Sequence, residues 1–286
     1  MTETNAFVTT ETSWCPGCGN FGILAAVKQA LSDLGCKPHE VLLAGGIGQA
    51  AKTPLYFSAN GICTLHGRAL PAATGVRIAN HELTVVVHSG DGDCYAEGGN
   101  HFVHAIRRNV DLTLLVHNNQ VYGLTRGQAS PTSDPGHVTG VQPRGVIANP
   151  LNGPALAIVL GCGFVARSFS GTPEHLVDMI RQGVRHRGFS LIEILQPCIS
   201  MNKLNTFAWY KQRIDDVAAD PEFDPTDRER ALARAGMWGD KIPVGVLYRQ
   251  EGIPFEERIP MLTPGPLVKQ PPLARTILAE LQEEFI

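Results

Sequence analysis

Long apolar runs are absent from this sequence: none reaches the roughly 20 residues that a membrane-spanning helix needs. Net charge is small as well. The 24 Lys and Arg nearly balance 27 Asp and Glu, leaving −3 at pH 7, which gives no electrostatic reason to expect nucleic acid or an anionic membrane as partner. The first 13 residues, MTETNAFVTTETS, hold neither a basic region nor an apolar core, so they do not read as a secretory signal. Internal repeats and low-complexity stretches are missing too. Only 18% of residues are charged while 43% are hydrophobic, which excludes global disorder and allows a sizeable core. Seven cysteines without a secretory signal imply reduced thiols or metal ligands, not a disulfide framework. The expected setting is the cytoplasm.

What is present is organised around residues 83–125, LTVVVHSGDGDCYAEGGNHFVHAIRRNVDLTLLVHNNQVYGLT. An apolar β-branched run leads into Gly90-Asp91-Gly92-Asp93, an amphipathic segment follows over 97–108, and a second apolar run ends in Asn118-Asn119-Gln120-Val121-Tyr122-Gly123. That is strand, loop, helix, strand, loop, with polar residues and glycines at the carboxyl end of both strands, the edge where open parallel sheets bind ligands. Asp91 offers a carboxylate oxygen and Asn119 a neutral carbonyl oxygen. Gly90 and Gly92 let backbone N–H groups approach an anion, and a helix beginning near Glu97 would add the positive end of its dipole. Mg²⁺ held by one or two protein oxygens and a diphosphate fits such a site. Alone, GDG would read as an ordinary βα turn; its pairing with NNQVYG after the next strand points to a ligand.

The rest of the chain supplies the frame. Residues 1–13 read as irregular. Asn20 is a candidate N-cap for a helix over 21–34, with Leu24, Val27, Leu31 and Leu34 on one face and Gly35 as its stop. A short strand over 41–44 ends in Gly45-Gly46-Ile47-Gly48, a second glycine-rich loop. A small-residue helix over 69–79 precedes the central unit, and a polar Gly/Pro/Ser/Thr stretch over 126–146 follows it, longer than an ordinary connection needs. Helices over 155–160 and 173–186 alternate with strands over 164–168 and 189–195. This alternation predicts a doubly wound, mostly parallel α/β sheet with right-handed crossovers in an α/β domain over 14–198. From 199 to 286 strand patterns weaken and no separate hydrophobic core is evident, so this part reads as an extension packed on the domain or on a partner, with a closing helix over 273–285.

All three glycine-bearing strand ends, 45–48, 90–93 and 118–123, should emerge on one edge and together cradle a diphosphate and its metal. Gly46, Ile47, Gly48, Gly90, Gly92 and Asp93 are then expected along the cofactor, with Asp91 and Asn119 as side-chain ligands of the metal. Trp14-Cys15-Pro16-Gly17-Cys18 is a separate feature. It is unlike the thioredoxin redox pair, because no strand precedes it and Pro and Gly stand in reverse order. A structural zinc site would need two more ligands at short spacing.

GDG at 90–92 with NN at 118–119 resembles the thiamine diphosphate signature, and GDGDCYAEGGNHFVHAIRRN with NNQVYGLTRGQASPTS is similar to the β subunit of 2-oxoacid:ferredoxin oxidoreductases, nearest the 2-oxoglutarate branch. The resemblance covers about 14–210. It implies a pyrophosphate-type thiamine fold, Mg²⁺ on Asp91, Asn119 and the Val121 carbonyl, and a bent cofactor held by Gly123, Leu124 and Thr125. It places His66, in an HGR that the family shares, near the thiazolium and substrate. Arg126 stands where a guanidinium could grip the 2-oxoacid carboxylate. It further implies a [4Fe–4S] cluster on Cys15, Cys18, a cysteine after GIG, and Cys198 of QPC; here Gln49 stands after GIG, and Cys63 is the nearest substitute. Cys36, Cys94 and Cys162 read as small, partly buried thiols.

The implied activity is CoA-dependent oxidative decarboxylation of 2-oxoglutarate to succinyl-CoA with reduction of ferredoxin, or the reverse carboxylation. An α subunit, in a heterodimer or a dimer of heterodimers, is implied as the source of the glutamate that activates the cofactor. Pyruvate or broad 2-oxoacid specificity is the alternative within the family. A non-redox thiamine decarboxylase or carboligase would have no role for the cysteines, and a non-catalytic metal-binding scaffold would not bind thiamine diphosphate.

Overall fold

The apolar runs become strands of one sheet. The computed structural model describes residues 6–272 and 275–284, with β1 at Val41–Gly45, β2 at Asn60–Cys63, β3 at Thr84–Gly90, β4 at Leu112–Asn118, β5 at Val121–Tyr122, β6 at Gln128–Ala129, β7 at Phe164–Phe169, β8 at Phe189–Leu195, β9 at Ile214–Asp216 and β10 at Ile242–Arg249. Eight of these form a sheet in the order β2-β1-β3-β4-β8-β7-β10-β9, and β5 and β6 form a small separate hairpin. Every pair in the large sheet is parallel except β7 with β10.

Alternate side chains of each strand enter two different cores, as the period of two along a strand requires. Leu42, Ala44, Val85, Val87, Leu112, Leu114, Val116, Phe189 and Leu191 face one side. There they meet α2 (Ala69–Ala79) and α3 (Gly99–Arg108) through Leu70, Ala73, Phe102 and Ile106, and α4 (Gly153–Val159) through Ala157 and Ile158. Val41, Leu43, Val86, Leu115, Ile192 and Ile194 face the other side, against α1 (Gly19–Asp33) and α5 (Pro173–Arg185). Each large apolar side chain so buried contributes about 1.5–3 kcal/mol. Helices thus cover both faces, and the fold is a doubly wound α/β sheet. Among the described residues no helix is long and apolar enough to cross a membrane.

The chain moves from β1 outward to β2 and then returns to place β3 on the opposite side of β1. This reversal opens a crevice at the carboxyl ends of β1 and β3, the ligand position of doubly wound sheets. Gly45 and Gly90 stand at its two lips.

Two local expectations are corrected and one is refined. Asn20 does not cap α1: the helix starts at Gly19, and Asn20 is buried within it with Oδ1 2.8 Å from His117 Nδ1. The helix of the central unit, α3, starts at Gly99, close to Glu97 as expected, but it is not the first helical turn there. Helical backbone starts at Asp91 and passes through a π-helical turn, Asp93–Glu97, closed by Gly98 N–H on Asp93 O at 2.9 Å. The carboxyl third is not without strands, since β9 and β10 extend the sheet; their pattern is weak because Pro243 and Gly245 interrupt the β-branched run, and a register shift between Val246 and Tyr248 breaks the alternation. Gly35 ends α1 as expected: at φ +72° it closes a Schellman motif, Cys36 N–H to Leu31 O and Gly35 N–H to Ser32 O. The closing helix is α8, Arg275–Glu283, after α6 (Phe207–Lys211) and α7 (Arg228–Gly236); positions 273, 274 and 285 of the span expected for it lie outside the described residues.

Candidate cofactor site

The crevice gathers three strand ends into one cleft. Ile47 and Gly48 line it after β1, Gly90, Asp91, Gly92 and Asp93 after β3, and Asn119, Val121, Gly123, Leu124 and Thr125 after β4. His66 lines it from the segment before α2, beside Gln49, His117 and Tyr122. Gly46 is not in the lining but behind it, where an added Cβ would lie 2.2 Å from Asp93 Oδ2. Gly92 makes comparable room, since a Cβ there would lie 2.3 Å from the Tyr122 ring.

Asp91 sits at the floor, 1% exposed. Its Oδ2 accepts from Ser130 Oγ at 2.5 Å and Thr132 Oγ1 at 2.6 Å. Among the described residues no basic side chain pairs with it. Burial therefore raises its carboxyl from 3.8 to about 6, against the lowering pull of the Ser130, Thr132 and backbone hydrogen bonds. A buried carboxylate with hydroxyl donors but no counter-charge suits a small hard cation. Across the cleft, Asn119 Oδ1 accepts from Val121 N–H at 3.1 Å, which fixes the amide oxygen and the Val121 carbonyl in one tight turn. Gln120 between them is held at φ +60°, a conformation costing about 1–3 kcal/mol. Its side chain donates to Thr132 O and accepts from Tyr210 O–H, and its carbonyl accepts from Ser133 Oγ. The long polar loop thus fastens the turn that carries Asn119.

Asp93 has a different job. Its carboxylate accepts from Gly67 N–H at 2.7 Å, Ile47 N–H at 3.1 Å and Ser89 Oγ at 2.5 Å, tying the loops after β1, β2 and β3 together. His66 Nδ1 lies 3.0 Å from Asp93 Oδ1 and 3.3 Å from Glu97 Oε2. Tyr122 O–H reaches both Glu97 oxygens at 3.2 Å, and burial together with the Glu97 charge pushes its phenol well above the usual range. Arg126 is exposed at φ +80° in the turn from β5 to β6, one residue beyond the cleft lining, which ends at Thr125.

The cysteines converge in part. Cys18 caps the start of α1 and is half-buried; burial raises its thiol, opposed by the Asn20 backbone N–H and aided by the nearby Cys198 and Cys15 thiols. Cys198 Sγ lies 3.8 Å from the position a Cβ on Gly123 would take, so this group of thiols abuts the loop after Asn119. Cys63 is exposed at the end of edge strand β2, opposite Gly45, and burial is the sole cause raising its thiol. Gln49 lies against the CPGC loop, its carbonyl accepting from Trp14 Nε1 at 2.8 Å. Gln49 Oε1 is buried and has no hydrogen-bond partner among the described residues. No three His, Cys, Asp or Glu side chains among the described residues form a cage for a single ion.

Ser130, Thr132, Glu97, His117 and Gln196 were not identified from sequence as site residues. Only the unusual length of the 126–146 stretch signalled the first two. Behind the cleft a buried network leads away from Asp91. Thr132 Oγ1, whose single proton is shared with Asp91, lies 2.9 Å from Asn118 Oδ1, while Asn118 Nδ2 donates to Glu193 Oε1 at 3.3 Å and Arg167 Nε to Glu193 Oε2 at 2.8 Å. A cavity of about 210 Å³ borders this network and is separate from the cofactor cleft.

Comparison with known proteins agrees with this geometry. Residues 42–194 match the family described as thiamine pyrophosphate enzyme, C-terminal TPP binding domain. Residues 198–263 match the family that describes the carboxyl-terminal part of the pyruvate ferredoxin oxidoreductase beta subunit. The 2-oxoacid:ferredoxin oxidoreductase subunit beta of Saccharolobus solfataricus is 43% identical over 270 residues, covering 90% of this chain and 88% of that one. The 2-oxoglutarate synthase subunit KorB of Archaeoglobus fulgidus is 39% identical over 222 residues, 76% of this chain and 82% of that one. A solved 2-oxoglutarate:ferredoxin oxidoreductase from Magnetococcus marinus, with 2-oxoglutarate, coenzyme A and succinyl-CoA bound, superposes with TM-score 0.88 at 33% identity, covering 96% of this chain and 94% of that chain.

Proposed function

Since this chain belongs to the family of 2-oxoacid:ferredoxin oxidoreductase β subunits, we propose that it binds thiamine diphosphate through Mg²⁺ in the β1–β3 crevice and carries an iron–sulfur cluster beside it. The activity is CoA-dependent oxidative decarboxylation of 2-oxoglutarate with ferredoxin as acceptor, or the reverse carboxylation. The observation that carries this reading is the buried Asp91 carboxylate, held by two hydroxyls and facing the amide turn of Asn119, with no basic side chain paired to it among the described residues. The 2-oxoglutarate preference is supported by the KorB relative and the Magnetococcus structure.

Asp91, Asn119 and the Val121 carbonyl would hold Mg²⁺, and the backbone N–H groups of Gly92 and Asp93 would be offered to the diphosphate. When bound, thiamine diphosphate would supply the carbanion equivalent that chemistry at the keto carbon of a 2-oxoacid requires. His66, whose Nδ1 lies near the Asp93 and Glu97 carboxylates without a hydrogen bond to either, would present a ring nitrogen for proton transfer in the cleft. Arg126, at the rim, would meet a substrate carboxylate. Cys15, Cys18 and Cys198 would hold three corners of a [4Fe–4S] cluster, and Gln49 lies against the CPGC loop where a fourth ligand would be needed. Among the described residues the lining of this cleft holds no glutamate, and an α subunit would bring the one that activates the aminopyrimidine.

The test combines the chain with an α subunit under anaerobic conditions. Calorimetry should show thiamine diphosphate binding only with Mg²⁺ present, and iron and sulfide should be lost from Cys15→Ser, Cys18→Ser and Cys198→Ser. A Cys63→Ser protein that keeps a full, equally stable cluster removes Cys63 from the ligand set. Turnover should be fastest with 2-oxoglutarate and require both subunits. Equal rates with pyruvate, or full turnover by the isolated chain, would sink the substrate or the partner assignment respectively.

A further inference from the structure

The strand register puts a residue of unassigned role between the metal turn and the thiols. β4 and β8 are parallel neighbours with Asn118 opposite Leu195, so the residues just past their ends, Asn119 and Gln196, must lie side by side. Gln196 N–H donates to Asn118 O at 2.8 Å, and its side chain is 2% exposed. A buried amide must find partners, and this one finds one on each side. Its Oε1 accepts from Asn119 Nδ2 at 3.4 Å, and its Nε2 donates to Cys18 Sγ at 3.4 Å. Gly19 leaves the space, since a Cβ there would lie 2.8 Å from Gln196 Cγ. Cys18 Sγ has a second donor, the Asn20 N–H, and Asn20 in turn contacts His117, which lines the cleft.

We propose that Gln196 is a positioning residue that links Asn119 to Cys18 and sets how readily the cluster on the cysteines is reduced. The proposal rests on the cluster reading given above. A cluster that gains one electron gains one negative charge, spread in part over its ligand sulfurs. N–H donors to those sulfurs stabilise the reduced form and raise the potential. Among the three cysteines Cys18 is the one joined by amides to two residues of the cofactor cleft, Asn119 through Gln196 and His117 through Asn20.

The experiment is a dithionite titration with redox mediators, read by the spectrum of the reduced cluster, on the anaerobic complex with its α subunit. Gln196→Met removes both hydrogen bonds. Gln196→Glu keeps the acceptor for Asn119 but turns an oxygen toward the thiolate. Both variants are expected to keep wild-type iron and sulfide while the midpoint moves negative, further for Glu than for Met. The Met variant should show about a tenfold less favourable reduction equilibrium, or about 59 mV for one electron. Unchanged midpoints in both variants overturn it, as does cluster loss from both with the fold intact, which makes Gln196 a structural part of the loop. A wild-type complex without a cluster instead overturns the cluster reading itself.

Discussion

Replacing Asp91 with Asn separates the stability of the chain from its affinity for a cation. Burial raises the Asp91 carboxyl from 3.8 to about 6, so keeping the charge in the floor of the cleft with no cation costs about 3 kcal/mol. Asn has the same shape, no charge, and an oxygen that still accepts from Ser130 and Thr132. A carboxyl whose folded pKa exceeds its unfolded one supports folding when protonated. That support is complete below 3.8 and is lost as pH rises through about 6. In the cofactor-free chain Asp91→Asn should therefore equal wild type at about pH 4 and exceed it by up to about 3 kcal/mol at about pH 7.5. Mg²⁺ and thiamine diphosphate at about 100 times Kd add about 2.7 kcal/mol to wild type and nothing to the variant, so the advantage closes. Urea denaturation in EDTA and with the loaded cofactor, each at both pH values, reads all four terms. A gap that does not change with pH, or a variant still stabilised by the cofactor, refutes the reasoning.

Thr132→Val removes the one hydroxyl proton shared between Asp91 and Asn118 and should cost about 1–3 kcal/mol while raising the Mg²⁺ concentration needed for cofactor binding; an unchanged Mg²⁺ titration would count against it. Gly92→Ala should abolish cofactor binding because the new methyl meets the Tyr122 ring. Adding Tyr122→Ala should recover part of the lost stability, and strictly additive effects in that double-mutant cycle would contradict the contact. His88 is fully buried and burial lowers its imidazole to about 3, so the unfolded chain takes up a proton that the folded chain refuses and stability falls as pH drops below 6.5. His88→Gln should flatten that acid limb in urea midpoints, and an unaltered slope would exclude His88 as a source. Arg126→Ala should raise KM for the 2-oxoacid more than it lowers kcat, and an unchanged KM for every 2-oxoacid would leave Arg126 without a substrate contact.

Much of the fold was legible because its strands are buried on both faces and read as continuous apolar runs, as at 85–87 and 114–116. The helix over 69–79 and the strand over 189–195 match the structure to the residue. Features decided by tertiary contact were not legible. Asn20 has the chemistry of a cap, yet His117, far away in sequence, takes its side chain. The π-helical turn depends on Asp93 being held from three loops at once. The two late strands carry Pro243, Gly245 and a register shift, and they join the sheet through β7 and not through any pattern of their own. In the site, the residues with special backbone or charge stood out, and those that brace them did not. Ser130 and Thr132 look like any polar loop residues until the loop folds back on Asp91.

The same sheet order explains why a cofactor cleft and a group of thiols can share one edge. β3 and β4 carry Asp91 and Asn119 at their carboxyl ends, and β8 lies next to β4 in parallel register, so Gln196 and Cys198 must emerge beside Asn119. α1 packs on α5 with its first turn at that same edge, which brings Cys18 to Gln196 and Asn20 to His117. No long loop is needed to join the two groups; neighbouring strand ends do it. The juxtaposition is therefore fixed by the core, since sliding β8 by one residue against β4 would turn Leu191, Ile192 and Ile194 to the wrong faces. The spacing between the cleft and the thiols is then as rigid as the sheet itself.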